Sequence, residues 1–139
     1  MPSEFVKEVA DVFAKDGPLS KVTANYTPRP SQIEFATSVA EALEKGKTRV
    51  AEAGTGTGKT FAYLVPALLK DQKVLISTAG KTLQDQLFTK DIPALLKALG
   101  MGCRVALLKG RSNYICKQRL EHALQEDSYV AKSREEVVH

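Results

Sequence analysis

The sequence predicts an α/β fold, a parallel sheet with helices on both faces. Three observations predict it. Short apolar runs alternate along the chain with amphipathic stretches of helical period. A glycine-rich loop of the phosphate-cradling type stands between the first such run and the helix after it. The 139 residues suffice for one small core, with no internal repeat and no low-complexity segment.

The elements follow in order. Ser3 to Asp16 places Phe5, Val6, Val9, Val12 and Phe13 on one helical face, and Gly17-Pro18 stops it. Leu19 to Pro30 is a loop kept extended by Pro28 and Pro30. From Ser31, the residues Ile33, Ala36, Val39, Ala40 and Leu43 recur at helical spacing up to Gly46. Thr48 to Glu52 is the first expected strand. A helix is expected from Lys59 to about Lys70, bent or loosened at Pro66, which has no N–H to donate. Val74 to Ser77 is the second expected strand. Lys81 to Lys90 and Pro93 to Leu99 read as helices, the latter ending before Gly100. Arg104 to Lys109 is the third expected strand, and helical pattern resumes from Lys117 to Gln125. The residues beyond Glu126 form a charged tail. Parallel strands of this kind bind ligands at their carboxyl ends. The glycine-rich loop, Ser77-Thr78 and Lys109-Gly110-Arg111 are therefore expected on one rim.

Composition bounds the function. The 43% hydrophobic and 26% charged content is that of a soluble globular protein. A formal charge of +4 permits a polyanionic partner without requiring one. Cys103 and Cys116 offer no disulfide framework and suit a reducing compartment, and Cys103 reads as a small buried hydrophobe in a strand. There is no basic leader followed by an apolar run. No stretch approaches the roughly 20 apolar residues of a membrane span. A cytoplasmic protein without a membrane partner is expected, of an oligomeric state that the sequence leaves open.

Ala53-Gly54-Thr55-Gly56-Thr57-Gly58-Lys59-Thr60 carries the chemistry. The strict P-loop pattern has glycine where this chain has Ala53. The glycines Gly54, Gly56 and Gly58 let the backbone curl, so that successive N–H groups, those of Thr55 and Thr57 included, converge on phosphates. Lys59 supplies a point charge for the β- and γ-phosphates of ATP, and the Thr60 hydroxyl a ligand for Mg²⁺. The helix that starts here turns its positive dipole end to the anion. The plain alternative is a Gly/Thr-rich turn between two elements.

Hydrolysis by a P-loop motor needs an apolar strand ending in an acid, to hold the metal and position water. Ser77-Thr78 and Lys109-Gly110 follow the second and third expected strands, and neither pair carries an acid. Three strands also leave an open apolar edge. The sequence is expected to be the first part of a larger ATPase.

Four segments then carry a resemblance. Tyr26-Thr27-Pro28-Arg29-Pro30-Ser31-Gln32, AEAGTGTGKT, ISTAGKTLQDQL from Ile76 to Leu87, and LLKGRSNYIC from Leu107 to Cys116 occur in this order. Together they resemble the N-terminal part of superfamily 2 DNA helicases with an iron–sulfur cluster. That group includes the DinG and XPD enzymes, and the likeness is strongest to the bacterial YoaA-like branch. It runs from about Gly17 to Leu120, and GRSNYIC after an apolar run is its most specific part.

The resemblance implies a partial RecA-like motor lobe and a set of roles. Gln32 corresponds to the glutamine that reads adenine, a task suited to a group that both donates and accepts; Arg29, and less firmly Tyr26, would line the same pocket. On spacing alone, Gln32 is equally an exposed polar residue of a first helical turn. Ser77, Thr78, Lys81 and Gln84 correspond to the segment that contacts single-stranded DNA, although Thr78 or Gly80 as a helix cap with Lys81 merely exposed explains them too. Lys109 and Arg111 extend that basic track or simply flank a strand. Cys116 corresponds to the first of four thiolate ligands of a [4Fe–4S] cluster, which this chain does not complete because Cys103 lies upstream. The organisation implied is an N-terminal helix over 1–18, the first part of a motor lobe over 19–125, and an unassigned tail over 126–139.

Three functions stay open at this point. The chain is the ATP-binding part of an ATP-dependent DNA helicase of repair or replication, completed by a second lobe. Alternatively it is a module that holds Mg-nucleotide without hydrolysis, or a truncated product without activity. A downstream acidic strand and three further cysteines separate the first from the others.

Overall fold

The computed structural model describes residues 1–125. The charged tail expected over 126–139 lies outside the described residues. The chain divides into two compact units, Met1–Leu107 and a second that begins at Leu108.

The first unit holds α1 (Glu4–Val12), α2 (Pro30–Lys45), α3 (Lys59–Leu69), α4 (Lys81–Gln86) and α5 (Ile92–Leu99). A 3-10 turn at Pro18–Lys21 follows α1, and a π-type turn at Leu87–Asp91 joins α4 to α5. The second unit holds a 3-10 turn at Arg111–Asn113 and α6 (Lys117–Gln125).

The helices form where their apolar residues recur. In α1, Val6, Val9 and Val12 are buried on one face, and the Ser3 hydroxyl caps the start by accepting from the Val6 N–H at 3.2 Å. The same hydroxyl donates to Glu44 at 2.6 Å, which ties the start of α1 to the far end of α2. Pro30 opens α2 at a position where its missing N–H costs nothing. Pro66 lies fully buried inside α3; the carbonyl of Ala62, four residues earlier, loses its usual donor there.

The expected helix over Lys81 to Lys90 is corrected in its second half. Regular α-helix ends at Gln86, and the chain widens into the π-type turn before α5. Pro93 cannot donate to the carbonyl of Thr89, so the regular ladder fails just where the turn widens.

α2 packs on both α1 and α3, α3 also touches α1 and α5, and α5 lies against the Pro18–Lys21 turn. Val9, Phe13, Leu19, Leu64, Val65 and Leu95 meet in the resulting core with essentially no exposure. Gly17 is required where α1 turns into this core, because a Cβ there would lie 2.3 Å from the Asp11 carbonyl oxygen and 2.7 Å from that of Val12.

The expected α/β fold, with its RecA-like parallel sheet, is overturned. The described residues form helices and turns and no strand. Thr48 to Glu52, Val74 to Ser77 and Arg104 to Lys109 carry no regular secondary structure. Val50 is 91% exposed and Leu75 94% exposed, so these runs do not sit between helical layers. A helix closes each N–H onto a carbonyl four residues away in its own segment, whereas every strand bond needs a second strand at about 4.8 Å. Apolar content alone supplies no such partner. The common rim expected of three strand ends falls with the sheet. Cys103 is corrected as well: it is exposed, with its thiol 3.6 Å from the Arg104 carbonyl oxygen, and not a buried hydrophobe.

Candidate functional site

The loop between Ala53 and Thr60 is placed by two elements. α3 begins at Lys59, directly behind the loop, and the N-terminal end of α2 supplies the side chains that hold it. Gly56 and Gly58 have φ of 75° and 78°, the left-handed region that a side chain disfavours. Gly58 is doubly constrained: a Cβ there would stand 2.1 Å from Nε2 of Gln32.

Four side chains bond to carbonyls of this one loop. Gln32 donates from Nε2 to the Gly58 oxygen at 2.9 Å, and Arg29 donates to the Gly56 oxygen. The Lys59 ammonium donates to the Gly54 oxygen at 2.8 Å and to the Ala53 oxygen. The Thr57 hydroxyl donates to the Gly54 oxygen at 2.9 Å. Gln32 is buried, at 7% exposure, so its carboxamide is a structural partner of the loop and not a solvated group of a first helical turn. A buried amide requires such a partner, because leaving it unpaired costs about 1–3 kcal/mol.

The structure therefore brings Arg29, Gln32, Gly54, Gly56, Gly58 and Lys59 together, with Thr55 exposed on the loop between them. Tyr26 lies near Arg29 in charge as well as in sequence. Burial holds its phenol above the ordinary value and the Arg29 cation opposes the rise, while its hydroxyl donates to the Phe13 carbonyl oxygen at 2.9 Å.

Periodicity offers one further residue that motif reading passed over. Tyr63 sits one turn after Thr60 on α3, and the Thr60 side chain acts on its phenol. Burial pushes the Tyr63 phenol above its ordinary value, the neighbouring Thr60 side chain opposes this, and the Asp91 carboxylate adds to the rise. The signal was the i, i+3 spacing, which stacks two residues on one helix face.

The segment assigned to DNA contact is only partly assembled. Ser77 is exposed and Thr78 donates from its hydroxyl to the Gly80 oxygen at 3.2 Å. Gly80 holds the N-cap position of α4 without a side-chain cap, Lys81 is exposed as its first residue, and Gln84 is half-buried in the same helix. Arg111 is exposed in the 3-10 turn of the second unit.

The residues present do not fit a [4Fe–4S] cluster. Cys116 is exposed, Cys103 belongs to the other unit, and among the described residues no group of three or more His, Cys, Asp or Glu side chains lies together. Among the same residues, no helix is long and apolar enough to cross a membrane.

Comparison with known proteins bears on this arrangement. A family model described as DEAD/DEAH box helicase matches residues 33–132, a span that contains the whole loop and begins directly after Gln32. The chain is 55% identical over 113 residues to the ATP-dependent DNA helicase YoaA of Escherichia coli, covering 81% of this chain and 18% of that protein. It is 47% identical over 121 residues to the YoaA helicase of Haemophilus influenzae, covering 87% of this chain and 19% of that protein. Over 106 residues it is 44% identical to the ATP-dependent helicase DinG of Mycobacterium tuberculosis, covering 70% of this chain and 16% of that protein. The chain thus spans less than a fifth of the length of each of these relatives. No solved structure matches it. With most of its length inside the family model, the chain belongs to the DEAD/DEAH box helicases.

Proposed function

We propose that this chain is the ATP-binding segment of an ATP-dependent DNA helicase of repair or replication, one that couples hydrolysis to single-strand translocation and duplex unwinding. One observation carries the proposal. Arg29, Gln32 and Lys59 all bond to backbone carbonyls of the glycine-rich loop, so the base-side segment and the phosphate loop form one pre-organised piece.

The roles follow from the chemistry of each group. The loop from Gly54 to Gly58 and the N-terminal end of α3 receive the phosphates, Lys59 neutralises them, and Thr60 ligates Mg²⁺. Gln32 and Arg29 are assigned to adenine recognition. Ser77, Thr78, Lys81, Gln84 and Arg111 serve the single-stranded DNA backbone. Cys116 would be one thiolate of an iron–sulfur cluster whose other ligands the described residues do not supply, and no step is assigned to that group. The cytoplasm is the compartment that suits two unpaired thiols.

Lys59→Ala tests the assignment. It should weaken Mg-ATP binding to the chain by about 10- to 100-fold, the worth of a lost charge-assisted bond. Titration calorimetry reads this directly, and an unchanged affinity would sink the nucleotide assignment.

A further inference from the structure

Residues 110–125 hold three exposed cations, Arg111, Lys117 and Arg119, against one carboxylate, Glu121. None of the three cations is paired among the described residues. Along the chain Tyr114 falls between Arg111 and Lys117, at 54% exposure, followed by Ile115 at 77%.

The tyrosine is exposed yet held. Its phenol oxygen accepts from the Lys109 N–H at 2.9 Å, and its own N–H donates to the Arg111 carbonyl oxygen at 3.2 Å. The intervening turn closes twice on the Gly110 oxygen, from the Asn113 N–H at 2.9 Å and from Asn113 Nδ2 at 3.0 Å. A ring fixed at its backbone and at its tip has already lost much of the freedom that binding would otherwise remove. Its oxygen accepts from the backbone, so the side chain offers a ligand its flat face and one hydroxyl donor. Flat aromatic faces among cations suit one class of ligand well: every nucleobase can stack on the ring while cations meet the phosphates.

We propose that Tyr114 is a base-stacking platform for single-stranded DNA, with Arg111 as the neighbouring phosphate contact. The contact tolerates any sequence, because a ring face reads no base edge. The inference rests on the proposed function only for the identity of the polymer, and ATP takes no part in it.

The test uses the full chain without nucleotide and a fluorescently labelled oligo-dT, titrated over a salt series. Tyr114→Ala should lower the affinity by about 5- to 100-fold and leave the salt dependence unchanged. Tyr114→Phe keeps the ring face and should stay within a few-fold of wild type. Arg111→Gln should instead reduce the salt slope by about 0.7. Because a variant can disturb the turn, a second measurement needs no variant of the ring: 2-aminopurine in the oligonucleotide should change fluorescence on binding wild type as it stacks. Wild-type affinity in Tyr114→Ala, or an unaltered 2-aminopurine signal in the saturated complex, overturns the proposal. Failure to bind the oligonucleotide while Mg-ATP still binds overturns it and leaves the ATP site standing. Oligonucleotide binding without any Mg-ATP binding would do the reverse.

Discussion

Leu64 and Leu75 are the same residue type eleven positions apart, and their fates are opposite: the first is 1% exposed in α3, the second 94% exposed in the run after it. The contrast holds for the regions around them. α1, α2, α3 and α5 converge on one core, while Thr48 to Glu52 and Val74 to Ser77 carry no regular structure and only Ile76 of these two runs packs against that core. The second of these runs, Val74 to Ser77, is apolar enough to be buried. What separates the two regions is where the backbone finds its hydrogen bonds. The helices satisfy theirs internally and are then free to pack, whereas the apolar runs have none of their own to bring. Hydrophobicity selects residues for burial only after the backbone has been accounted for.

The largest expected effect breaks or sharpens this contrast directly. Leu64→Ala should destabilise the chain by about 2–5 kcal/mol, and Leu75→Ala by less than about 0.5 kcal/mol. Denaturant midpoints of the two variants give the comparison, and similar shifts would mean that the run after α3 is packed in solution.

A smaller effect lies at the loop, which resembles the runs in having no ladder but is held by side chains. Gly58→Ala adds a Cβ into a left-handed residue and against Gln32, for a cost of about 1–3 kcal/mol. With Gln32→Ala already in place the clash is gone and only the backbone strain remains. The two substitutions should therefore be non-additive, and additive thermal shifts in a double-mutant cycle would show that the Gln32 contact is not what holds the loop.

The smallest effect is a pH dependence. Burial raises the folded-state pKa of Tyr63, and of Tyr26, above the unfolded value. Both phenols are neutral when protonated, so their contribution is fully present below the unfolded pKa of about 10. It is lost as pH rises through the higher folded-state value, because the unfolded chain ionises first. Melting temperatures should fall more steeply above pH 10 in wild type than in Tyr63→Phe. Parallel curves would place the phenol in water.

Much of the local structure was readable in advance. The apolar spacing of Val6, Val9 and Val12, the stop at Gly46 and Gly100, and the start of α3 at Lys59 all follow from bonds that close within a few residues. The glycine-rich loop was readable for the same reason, since left-handed turns advertise themselves through Gly56 and Gly58. The π-type turn ahead of Pro93 was not, because proline marks a break without saying how the chain absorbs it. Nor was the exposure of Cys103, whose expected burial depended on a sheet.

The sequence by itself therefore determined that these helices form, where α3 starts, where α2 and α5 stop, and that a glycine-rich loop precedes α3, because each depends on neighbours along the chain. Only the tertiary structure decided that the three apolar runs carry no sheet, and that Arg29 and Gln32 reach the carbonyls of Gly56 and Gly58. Those outcomes depend on which distant groups meet, 26 residues apart for Gln32 and Gly58. Residue spacing fixes what a segment offers, and packing fixes what it finds.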